Sequence, residues 1–143
     1  MPPALDQATR PRYHVPIMRF EVSAAFAIGV LLPVLESCRR GFEHWLVDAT
    51  TMLEDFAAGG LLLFAAAVSA RGRRNAPLWM LLAWASVTAM MSISFVDQLE
   101  VTLRGAETEP QNGLVLVIKF LLWGTCMLSL VLSFRRARLA RPA

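Results

Sequence analysis

Four apolar runs of bilayer length, parted by short charged segments, constrain this chain more than any motif in it. They fall at about 15–37, 49–70, 77–97 and 113–134. A helix rises about 1.5 Å per residue and a bilayer core is about 30 Å thick, so roughly twenty apolar residues cross it. Lipid offers no water to backbone polar groups, so each crossing run has to be helical. The composition agrees, with 56% hydrophobic residues against about 45–50% apolar in ordinary soluble domains. The expected fold is all-α: a polytopic membrane protein built as an antiparallel four-transmembrane-helix bundle with short connections. Segment 1–14, with three prolines and little to bury, reads as a disordered tail. Segment 135–143 reads as a basic C-terminal tail. No internal repeat is evident.

The arginines set the expected orientation. Arg10, Arg12, Arg71, Arg73, Arg74, Arg135, Arg136, Arg138 and Arg141 fall on one side of four crossings, against Arg39, Arg40 and Arg104 on the other. The positive-inside rule then puts both termini in the cytoplasm, and the inner membrane of a bacterial cell is the expected location. Net charge is +3. The arginines flank apolar runs and do not line an amphipathic face of their own, so they point to membrane lipids and away from nucleic acid.

The first run is too short to cross without charge. Its apolar core, 22–35, spans only about 21 Å, so the helix has to include Arg19 and Glu21 at one end or Glu36 at the other. Arg19 can snorkel to the headgroups. Glu21 is expected to look into the bundle or toward an arginine of the tail. Pro33 is expected to kink or loosen the last turn. Residues 35–38, Leu-Glu-Ser-Cys, have the outline of a lipoprotein cleavage site, but Glu36 suits one poorly and the run reads as an uncleaved helix.

The second run holds the most demanding feature, adjacent Glu54 and Asp55 about 7–9 Å below its outer end. Charge at that depth is costly unless paired or hydrated. Lys119 lies at a similar depth in the fourth run, about 9 Å from its outer end. Glu36, Asp97 and Glu100 stand at the outer ends of the first and third runs. An intramembrane charge network of Glu54, Asp55, Lys119, Asp97 and Glu36 is therefore expected. Adjacent helix positions diverge by about 100°, so one of the two acids faces Lys119 and the other faces Asp97, Glu36 or a wet cleft. A structural ion pair that fixes helix order explains these residues as well as a functional one does.

If the second helix starts near Phe42, His44, Asp48, Thr51 and Asp55 share a stripe about 60° wide. His and Asp four apart can hold a metal, and such a file can relay protons or admit a cation. His44 reads equally as an interfacial residue. Ala57, Ala58, Gly59, Gly60, Ala65, Ala66 and Ala67 suit close helix packing in lipid. Lys119, Trp123, Cys126 and Ser133 share a face of the fourth run that reads as packing surface. Cys38 and Cys126 fall at different depths, so no disulfide is expected between them. Nucleophile-elbow, Walker A and H-E-x-x-H motifs are all missing from the sequence.

No cofactor is indicated. These features describe a small inner-membrane protein without a catalytic motif, expected to act as an accessory or assembly subunit of a larger membrane complex. The alternatives are a proton- or cation-coupled transporter working as a homo-oligomer, and a metal-dependent membrane enzyme using His44 and the acids.

Overall fold

The computed structural model describes residues 17–40, 49–105 and 112–139. They form four helices, α1 (Ile17–Arg40), α2 (Ala49–Ala70), α3 (Ala76–Leu103) and α4 (Asn112–Leu139). All four are long and apolar enough to cross a membrane, as in a multi-pass membrane protein. Among the described residues there is no strand. Both expected tails in part or whole (1–14 and 140–143), the 41–48 connection and residues 106–111 lie outside the described residues.

The helices outlast the apolar runs, and local chemistry explains where they stop. α1 continues through Pro33 to Arg40, and Ser37 Oγ donates to the Pro33 carbonyl at 2.7 Å. α3 starts with Pro77 in its first turn, where the missing N–H costs nothing. Asp97, Gln98 and Glu100 do not end it. Thr102 Oγ1 bonds the Gln98 carbonyl at 2.9 Å, Glu100 pairs with Arg104 one turn on, and the helix stops only before Gly105, at φ 61°. α4 likewise carries Arg135, Arg136 and Arg138 as helix and reaches Leu139. The basic segment expected to be tail therefore begins as helix, because arginine is a good helix former and favours the last turn.

Each helix packs on two others, in the ring α1–α2–α3–α4 and back to α1. Contact is most extensive in the α1–α2 and α3–α4 pairs and slight between α1 and α4. The α1–α2 seam turns on two glycines. A Cβ built on Gly59 would lie 2.5 Å from the Gly29 carbonyl oxygen, and one built on Gly29 would lie 3.0 Å from the Gly59 carbonyl oxygen. Pro33 stands four residues after Gly29 and has no N–H to give that carbonyl. The Gly59 backbone comes up against that carbonyl instead, an approach that a side chain at 59 would block.

The core comprises Ile28, Leu32, Leu62, Ala65, Ala66, Met80, Ala83, Trp84, Val87 and Cys126, with their neighbours. Equally large apolar side chains, including Phe26, Leu31, Ile93 and Phe120, face outward. In lipid such an exterior carries no penalty, and close packing selects the inner face. The inner positions of α4 are accordingly small: Cys126, Ser129 and Ser133.

Candidate functional site: a charged cavity among four helices

At one end of the helices lies a cavity of about 450 Å³ to which all four contribute. Leu32, Leu35 and Glu36 come from α1, and Glu54 and Asp55 from α2. Met90, Met91, Ile93, Ser94 and Asp97 come from α3, and Val115, Ile118, Lys119 and Leu122 from α4. The slight α1–α4 contact leaves the room that the cavity fills.

Five residues singled out in the sequence, Glu36, Glu54, Asp55, Asp97 and Lys119, line this one space. Glu54 and Asp97 are exposed, while Glu36, Asp55 and Lys119 are half-buried. Although adjacent on α2, Glu54 and Asp55 both border the cavity, which is broad enough to meet two diverging side chains. Lys119 Nζ donates to the Ser94 carbonyl and to Gln98 Oε1, each at 3.2 Å. Ser94 and Gln98 are one turn apart on α3, so their acceptors stack on one face and hold the ammonium between them.

Below Lys119 the α3–α4 seam is aromatic and polar together. Trp123 Nε1 donates to Ser92 Oγ at 2.9 Å, and Ser92 Oγ donates to the Thr88 carbonyl at 2.7 Å. Phe95 stacks on Trp123 with ring centroids 5.4 Å apart and planes 12° apart. Sequence spacing put Lys119, Trp123, Cys126 and Ser133 on one face, and in the structure the last two are buried. The Ser92 partner was not legible, because a serine inside an apolar helix usually bonds only its own backbone. Trp123→Phe is expected to cost about 1 kcal/mol. Ser92→Ala should cost a similar amount, and the pair together little more than either alone, as read from unfolding in a mild detergent.

His44 and Asp48, the other members of the supposed metal or proton file, lie outside the described residues. Among the described residues no group of three His, Cys, Asp or Glu could hold a metal ion. Cys38 is exposed and Cys126 buried, and both are free thiols.

At the other end Glu21 was expected to look into the bundle or toward an arginine of the tail, but its partner was not named from the sequence. Glu21 turns fully inward, 1% exposed, and Arg136 Nη1 donates to its Oε2 at 2.8 Å. Ser69, Met80 and Ser133 stand around the pair in a small cavity of about 40 Å³. The signal was an acid inside the first apolar run and an arginine just past the fourth, which meet if the two ends coincide. Between the two charged ends the middle is closed by Trp84, Leu62, Ala83 and Val87. Buried Thr88 and Ser129 there, and Ser133 beside the Glu21–Arg136 pair, have hydroxyl oxygens without a hydrogen-bond partner among the described residues. Compared with protein-family models, with curated proteins and with solved structures, the chain matches none.

Proposed function

We propose that this chain is a small inner-membrane protein that works without catalysis, as an accessory or assembly subunit whose charged cavity receives a basic group of a partner. Its helices cross as an antiparallel bundle with both termini cytoplasmic, so the cavity lies in the outer half. The two charged ends support this arrangement. Glu21 at the start of α1 meets Arg136 near the end of α4, while Glu36 late in α1 shares a cavity with Lys119 early in α4.

One observation carries the functional reading. Among the described residues, the carboxylates of Glu36, Glu54, Asp55 and Asp97 and the ammonium of Lys119 line one cavity with an apolar floor. Carboxylates gathered at membrane depth favour a cationic visitor over an anionic or apolar one, and a basic group of a partner is such a visitor. The volume suits a side chain or a small organic cation.

The test is migration on a blue-native gel from gently solubilised membranes. The wild-type chain should run in a larger assembly, and the triple variant Glu54→Gln, Asp55→Asn, Asp97→Asn should run free. Free migration of the wild type, or unchanged co-migration of the triple variant, would sink the reading.

A second reading, a proton- or cation-coupled transporter acting as a homo-oligomer, is favoured by one feature. Buried Thr88, Ser129 and Ser133 continue polar groups from the cavity end toward Glu21 and Arg136. For that reading, liposomes carrying the Glu54→Gln or Asp55→Asn variant should lose the wild-type flux of protons or cations. Equal flux would remove it.

A further inference from the structure

The turn between α2 and α3 carries a second kind of chemistry, remote in sequence from the acidic cavity. Arg71, Arg73 and Arg74 are all exposed there. They crowd together because Gly72, at φ 63°, takes a left-handed conformation that a side chain would strain. The turn is tied by backbone bonds from Arg71 to Ala67 at 3.2 Å, from Gly72 to Ser69 at 3.0 Å and from Ala76 to Arg73 at 2.9 Å. Among the described residues, no ion pair involves any of these three arginines. Asn75 precedes α3 without a side-chain capping bond.

The arginines and Asn75 border an open depression of about 690 Å³ whose remaining wall is apolar and aromatic. Phe64 and Val68 supply it from α2, and Trp79 from α3. Phe64 and Trp79 meet edge to face, centroids 5.1 Å apart at 86°, and remain 48% and 37% exposed. Three like charges within four positions repel one another, and an anion among them relieves that repulsion. Guanidinium forks match phosphate oxygens in pairs, and the first turn of α3 adds the positive end of its dipole.

A soluble anion would use the arginines and leave the aromatic groove idle. A molecule with an anionic head and an apolar chain uses both. From this geometry we infer that the α2–α3 turn is a binding site for one anionic phospholipid. Arg71, Arg73 and Arg74 hold its phosphodiester, and an acyl chain lies along Phe64, Val68 and Trp79. The site is independent of the acidic cavity and of which way the chain crosses the membrane.

Native mass spectrometry of the full chain in mild detergent tests it, with phosphatidylglycerol and phosphatidylcholine as separate probes. Three basic residues beside one headgroup favour a lipid of net negative charge, so phosphatidylglycerol should be retained about tenfold or more over phosphatidylcholine. Replacing the three arginines together by glutamine should bring the two lipids to parity. Trp79→Ala, which leaves every charge in place, should weaken phosphatidylglycerol retention several-fold. The three arginines are exposed, and circular dichroism checks that the Trp79→Ala variant, which also loses the contact with Phe64, remains folded. Equal retention of both lipids by the wild type, or an unchanged preference in the triple variant, overturns the inference. So does displacement of the lipid by inorganic phosphate as complete as by excess phosphatidylglycerol, since that marks a simple anion site.

Discussion

Gly59→Ala will destabilise the protein by about 2–3 kcal/mol, although it adds one methyl group and improves helix propensity. The new Cβ would sit 2.5 Å from the Gly29 carbonyl oxygen and 3.0 Å from Pro33 Cδ. Neither is the loose end of a flexible side chain, so α1 and α2 have to separate. They share one of the two most extensive interfaces in the molecule, and separation there loses the packing that holds helices together in lipid. Gly29→Ala should cost less, because its nearest backbone atom, the Gly59 carbonyl oxygen, is 3.0 Å away and its closer contact, at 2.9 Å, is with the Leu63 side chain. Gly60→Ala is the control. Nothing lies within 4 Å of its added Cβ, so the change should be neutral or stabilise by up to about 1 kcal/mol. The ranking is checked by thermal or denaturant unfolding in one detergent. A Gly59→Ala variant as stable as Gly60→Ala would mean that the two backbones do not meet at this point.

Adjacent glycines with opposite expected outcomes show how far the sequence could be read. The apolar runs announced the helices, because length and hydropathy suffice for a segment that has to satisfy its own backbone. Pro77 announced where α3 begins. The inner face was harder, since Ile28 and Leu31 are equally apolar yet one is buried and the other faces outward. Hydrophobic periodicity separates core from water, not core from lipid, and here it separates little.

What remained legible was the exceptions. Glu54, Asp55 and Lys119 were conspicuous in apolar surroundings, and they border one cavity with Glu36 and Asp97. Ser92 as the acceptor for Trp123 and the facing of Gly59 by Gly29 depend on the register between helices, which no local pattern encodes. The helix ends slipped for another reason. Glu100 was read as the outer end of the third run and Arg136 as tail, whereas their own pairings extend the helices: Glu100 with Arg104 within α3, and Arg136 with Glu21 across to α1.

That last pair gives the other large expected effect. Arg136→Met should cost about 3–5 kcal/mol, because it strands a buried carboxylate without its partner. Glu21 is 1% exposed, whereas the Arg136 side chain is 23% exposed, so the two single variants should be unequal. Glu21→Gln leaves an arginine that can reach outward to water or headgroups, and its cost should stay near 1–3 kcal/mol, roughly that of a charged hydrogen bond. The double variant Glu21→Leu, Arg136→Met should regain most of the loss, since an apolar pair of similar size needs no partner in a low-dielectric interior. Arg138→Met is the matched control. Arg138 lies over the Phe134 ring at 4.5 Å and is itself exposed, so removing it subtracts the same charge without stranding an acid. The damage from Arg136→Met should also be local. The α1–α4 seam is the slightest of the four contacts, and this ion pair bridges it at the end away from the cavity. Amide exchange should therefore quicken first in the opening turns of α1. Equal losses from Arg136→Met and Arg138→Met, with exchange spread evenly over α1, would show that the ring closes without the pair.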